Sequence, residues 1–362
     1  MKYQLNLSWL IAFAALLTLP YGLYAQDDPP IEEEDEGEVI DYANLVQTEK
    51  NKAFCSSRIL AQSSTKLVTL GYDFQAGHSL TPNDFAGIPA NEHKIANAHG
   101  TQFAVNYPVF SKNYLLVSLG MMYAETRYSF VSSTNGGDNP LVRALDNNGL
   151  KNLGATATIF KPLNIKHYLI FQGGATLNGD YTFTNFQDPS YIRYNAALIY
   201  GIKANDRKIW GFGLSRTYLG GALNYVPIYY MMYTAKSKKW GLEMLLPARF
   251  NYRRNLNAKN LLFLGYEVQG NTFRINNNNN QYNLPYNNLE LRRAELRFRA
   301  SWEHAFTPQI WMALQAGYRY NYAFDMDRGD FYRPFLDDTP YLFETELTNP
   351  AYFNISINWV SP

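Results

Sequence analysis

Between Arg293 and Tyr322 apolar and polar residues take turns almost one by one. Ala294, Leu296, Phe298, Ala300 and Trp302 share one parity, against Arg293, Glu295, Arg297, Arg299, Ser301 and Glu303 on the other. Past Thr307-Pro308-Gln309 the pattern resumes, with Ile310, Met312, Leu314, Ala316, Tyr318, Tyr320 and Tyr322 opposed by Trp311, Ala313, Gln315, Gly317, Arg319 and Asn321. Side chains alternate faces along a strand, so each segment has one apolar face and one polar, partly charged face. Strands of soluble sandwiches run to about five or six residues. These run past the roughly nine that a tilted strand needs to cross a bilayer. The pattern predicts an all-β, antiparallel, up-and-down transmembrane barrel, with lipid outside and a polar lumen within.

The same period recurs from Thr65 onward. Val68, Leu70, Tyr72 and Phe74 oppose Thr69, Gly71, Asp73 and Gln75; Tyr194, Leu198 and Tyr200 oppose Arg193 and Asn195; Leu262 and Leu264 oppose Phe263 and Glu267. Short polar connections fall at 111–113, 205–208, 255–260 and 307–309, and longer ones at roughly 78–98, 131–149, 179–190, 275–288 and 325–348. Outer-membrane barrels have short periplasmic turns and long external loops. With both ends periplasmic the strand number must be even, whereas a direct count gives thirteen. Within Trp240 to Arg254, Leu246-Pro247-Ala248 is the place to divide, because proline cannot donate to a ladder. That gives fourteen strands; twelve is the alternative if two weak strands merge.

Composition fits this picture. The chain carries Tyr 29, Phe 22 and Trp 6 in 362 residues, yet its mean hydropathy is −0.32. A barrel combines aromatic girdles and a lipid-facing apolar surface with a polar lumen. The net charge of +1 gives no reason to expect a nucleic-acid partner. Residues 1–25, with Lys2, an apolar Trp9 to Leu19 run and Leu23-Tyr24-Ala25, read as a signal peptide cleaved after Ala25. Residues 26–63 open with the acidic, proline-broken stretch from Asp27 to Glu36 and read as a largely disordered periplasmic leader, with 42–63 lying in or below the barrel mouth. The barrel occupies 64–362. Cys55, which has no cysteine to pair with, reads as a free thiol in a flexible segment.

At the end of the chain Phe353, Ile355, Ile357 and Trp359 alternate with Asn354, Ser356 and Asn358, and Val360-Ser361-Pro362 follow. This resembles the terminal strand of Gram-negative outer-membrane β-barrel proteins, including the uncharacterised families known only as domains of unknown function. The resemblance implies residence in the outer membrane, contact with its lipid, and recognition of the last strand by the barrel assembly machinery. It brings no catalytic motif with it.

Candidate chemistry is sparse. His304 beside Glu303 could serve a lipid hydrolase only with a serine in reach, and none is evident. His78, His93 and His99 match no metal spacing. Asp325, Asp327 and Asp330, with Asp337 and Asp338, lack the calcium-loop pattern. No catalytic, cofactor or metal residue is assigned, and no cofactor is expected. Asp73, Arg193, Glu267, Glu295, Arg297, Arg299, Glu303 and Arg319 are the predicted lumen-facing set, able to tune a pore or to plug it as ion pairs. The sequence thus predicts a passive channel or transporter for small solutes or apolar molecules. The alternatives are a plugged structural barrel acting through its loops, where Tyr282, Tyr286, Phe331, Tyr332, Phe335 and Tyr341 cluster, and a lipid hydrolase.

Overall fold

The computed structural model describes residues 55–56, 58–84, 89–131, 139–182, 189–276, 288–328 and 341–361. The signal peptide, the acidic stretch and most of the loop aromatics lie outside the described residues. Among the described residues sixteen strands pair into one sheet: β1 (Thr65–Gln75), β2 (His78–Pro82), β3 (His93–Lys112), β4 (Leu115–Phe130), β5 (Leu150–Pro162), β6 (His167–Gly179), β7 (Ile192–Asn205), β8 (Lys208–Thr217), β9 (Asn224–Thr234), β10 (Trp240–Leu246), β11 (Arg249–Asn257), β12 (Asn260–Asn276), β13 (Asn288–Ala305), β14 (Ile310–Arg328), β15 (Thr345–Leu347) and β16 (Ala351–Ser361). β1 pairs antiparallel with both β16 and β3, which closes the ring. With the short β2 and β15 set aside, fourteen strands make the wall, as the sequence predicts. Closure leaves no sheet edge, the condition for placing strands in hydrocarbon. The outward parity is apolar and open: Leu70 is 61% exposed, Leu264 57% and Phe298 50%. In water that belt would be an aggregation surface; against lipid it is the seat of the fold.

Pro247 and Ala248 join β10 to β11, at the place where the proline divides the pattern. This connection and 218–223 are short although both lie at the long-loop end, so the expected loop asymmetry holds with two exceptions. They have a structural counterpart. β11 follows β12 only up to Arg249 opposite Glu267, and beyond that β12 leaves the wall. Its upper part meets the end of β6 in a parallel bridge, Arg274 to Gly179. The 218–223 loop packs on it: Thr272 Oγ1 donates to Gly221 O at 2.8 Å, and a Cβ on Gly270 would lie 2.0 Å from Leu219 O. Only glycine permits that approach.

The ring so narrowed is filled by apolar side chains. Leu80, Ile95, Phe273, Leu291, Phe324 and Met326 close around a helix, α1 (Pro140–Asn148), through its Leu141 and Leu145. Asn139 Oδ1 accepts from the Leu141 and Val142 amides at 3.0 and 3.3 Å, proline stands at the first turn, and Gly149 (φ +61°) ends the helix. The sequence reading treats 131–149 as loop and so misses this cap. It also takes Asp325 to Arg328 as loop. β14 instead runs through Arg328, with Arg292 to Asp327 ion-paired at 3.2 Å and Asp325 Oδ1 accepting from Thr345 N at 3.1 Å.

The short-turn end is crossed by the segment just before β1. Cys55 is buried among Phe160 and Tyr168, Ile59 against Ile209 and Met232, and Ser63 Oγ donates to Glu243 at 3.0 Å before β1 starts. These partners face inward, so residues 55–56 and 58–64 form a strap inside the barrel mouth. Cys55 is therefore seated rather than free-swinging. Burial pushes its thiol up, with a smaller opposing pull from Lys203, so the thiol stays protonated at neutral pH.

Candidate functional site: the barrel lumen

All eight residues of the predicted lumen set are buried or half-buried, and each is ion-paired. At mid-height Glu295 is the hub. Arg293 Nη2 lies 3.0 Å from its Oε2, Arg319 Nη1 3.2 Å from its Oε1, and Arg297 also binds Oε1. Arg319 reaches on to Asp73, which comes from the first strand. Arg297 and Arg319 face each other directly across β13 and β14, a like-charge pair that would repel. Glu295 between them and the Tyr352 ring, 5.8 and 4.7 Å from the two guanidinium carbons, offset that repulsion.

Below the belt Arg299 pairs with Glu267, and Glu303 with Lys66 at 2.7 Å. Arg253 and Glu243, 2.5 Å apart and buried, form a second hub with Thr234 and the strap's Ser63. Arg193 meets Glu290 at the upper rim. The sequence reading missed Arg253, Glu243, Lys66 and Glu290. The first two lie in the segment interrupted by proline, where alternation is hard to follow; once the turn sits at 247–248, Glu243 and Arg253 take the inward parity.

Two cavities flank the belt. The upper chamber, about 410 Å³, lies between the belt and the cap, and is lined by Asp73, Met122, Asn152, Phe273, Arg293 and Arg297, among others. The lower one, about 460 Å³, is lined by strap residues Gln62 to Ser64 and by Thr65 and Lys66 of β1, together with Glu243, Arg249, Arg299 and Glu303.

The remaining candidates are placed otherwise. His304 Nδ1 lies 2.9 Å from Asn260 Oδ1, and no serine or carboxylate is hydrogen-bonded to that ring among the described residues. His78 Nδ1 lies 2.8 Å from Ala76 O, and burial lowers the pKa of its ring. Among the described residues no three metal-ligating side chains come together.

No family model and no curated protein matches the chain. Among solved structures it is similar to the P. putida toluene transporter TodX (TM-score 0.35, 10% identity, 84% of this chain and 94% of that one). An outer membrane channel from Pseudomonas putida F1 gives 0.36 and 10%, over 87% and 100% of the two chains. The transport unit of the Escherichia coli autotransporter AIDA-I gives 0.31 and 7%, over 88% and 94%. At TM-scores this low the likenesses carry no argument. The barrel stands on its own strand pairing and on its apolar belt.

Proposed function

We propose that this chain is an outer-membrane β-barrel that passes small solutes passively, with its short turns and strap at the periplasmic face. The supporting observation is the pair of cavities stacked along the axis of a closed fourteen-strand wall. Ion pairs alone would serve a plugged lumen equally well; the two chambers beside them are the space that a passage needs. Between solutes the passage rests shut, by the α1 cap above and the strap below.

Purified protein in planar bilayers should show small, infrequent conductance steps. Ile59→Asp places a charge against Ile209 and Met232, unseats the strap and should make the steps more frequent. A second reading, a plugged structural barrel, draws on the apolar cap around Leu141 and Leu145. Silence from both proteins, each shown to be folded by heat-modifiable migration, would favour it.

A further inference from the structure

Four neighbouring strands, β11 to β14, carry Arg249, Glu267, Arg297 and Arg319 side by side in register. Three cations and one carboxylate at a single height do not balance. Nor do the residues around them. With Arg293 and Arg299 added, five guanidinium groups face the three carboxylates of Asp73, Glu267 and Glu295, an excess of two cations among the described residues. Lys66 with Glu303 and Arg253 with Glu243 below, and Arg127 with Glu125 above, cancel in pairs. The excess is most open at Arg249. This residue shares the inward parity of Asn251 and Arg253 and lines the lower chamber, yet it makes no ion pair and no side-chain hydrogen bond among the described residues. Glu267, directly opposite on β12, is taken by Arg299. The Nε of Arg249 is enclosed without a partner, which leaves the terminal nitrogens as the donors for a guest. A cation withdrawn from bulk water and left unpaired is costly, and an anion entering the chamber relieves that cost. The mouth below has the same sign. Its short turns and the strand ends beside them carry Lys112, Lys166, Lys208, Lys238, Lys239 and Lys259, against the single carboxylate of Asp206 among the described residues there. Charge of one sign around an opening concentrates ions of the other.

We propose that the lower chamber binds small oxyanions, carboxylates or phosphates, on the Arg249 guanidinium, and that the lumen prefers anions for this reason. The preference rests on the passage reading and names its solute class, while the site itself is tested without current flow. Saturation-transfer NMR on the protein in nanodiscs of zwitterionic lipid is read for benzoate, benzamide and benzylammonium, with the signal of empty nanodiscs subtracted. Benzoate should bind about tenfold more tightly than benzamide, the worth of one hydrogen bond to a charged group. Inorganic phosphate should displace it, and benzylammonium should bind worst. In Arg249→Gln benzoate should fall to the level of benzamide, while benzamide binds as before. Equal affinity of benzoate and benzamide in the unaltered protein would overturn the proposal whether or not the variant folds. So would tightest binding of benzylammonium, which would make the lumen carboxylates the site. Planar bilayers under a potassium chloride gradient separate the two readings, since an anion-preferring lumen gives a reversal potential of the sign set by chloride. Silent bilayers with the benzoate preference intact would count against passage and leave the site standing; conductance without the preference would do the reverse.

Discussion

Glu295→Gln is expected to destabilise the barrel by about 3–5 kcal/mol, the usual consequence of removing one partner from a buried ionic cluster. Glu295 is 2% exposed and serves three guanidinium groups. Glutamine keeps its shape but removes the charge that lets Arg297 and Arg319 stand opposite one another. Asp73 remains, bound to Arg319 alone among those three. Urea titration of the heat-modifiable folded band should show the loss as an earlier midpoint. Adding Arg297→Gln removes one surplus cation and should recover part of it. An unchanged midpoint for the single variant would mean that water screens the belt, and the lumen would then be wetter than its burial indicates.

The second large effect is on the outside. Phe298→Arg puts a charge on the lipid face in the middle part of β13, where the cost is about 2–4 kcal/mol. Gln315→Leu, on the inward parity of the neighbouring strand and lining the lower cavity, is the matched control. The arginine variant should lose most of its folded band in the membrane fraction and the leucine variant should keep it. Equal damage would mean that both faces are buried, and the barrel would fail as a description. Alternation alone also suggests contrasting Leu296→Arg with a harmless Arg297→Leu. Since Arg297 is a partner of Glu295, that leucine is no longer expected to be silent.

These contrasts show which parts of the molecule the sequence makes readable. Facing is a local property with a period of two, so the wall, its closure and the division at Pro247 can be read from residues next to one another. The lumen residues follow from the same period. Their pairing does not: Asp73 and Arg319 are 246 positions apart, and nothing near either names the other. α1 did carry a local signal, since Asn139-Pro140 before Leu141 and Leu145 and Gly149 after them is a capped helix in miniature. It was hidden by the expectation that a long connection in a barrel is a plain loop. The strap had no such signal. Cys55, Ile59 and Ser63 fall four apart rather than at a strand's period of two, and each is fixed by a different part of the mouth. The departure of β12 from β11 is equally silent, for its residues keep alternating as they leave.

That departure has a consequence for the membrane around the protein. β13 and β14 are 18 and 19 residues long, whereas β10 on the low side has 7. Seven residues at about 3.3 Å each extend roughly 23 Å, and a tilt near 40° reduces that to about 18 Å along the normal, short of an apolar band about 25 Å tall. The acyl chains beside this hairpin must shorten or tilt to meet it, while those beside β13 and β14 need not. The barrel thus carries its own hydrophobic mismatch, confined to one sector of its circumference. Lipids with shorter chains should gather there as a one-sided annulus, and thickening the host bilayer should sharpen that enrichment, because a span too short for its bilayer is met by local thinning.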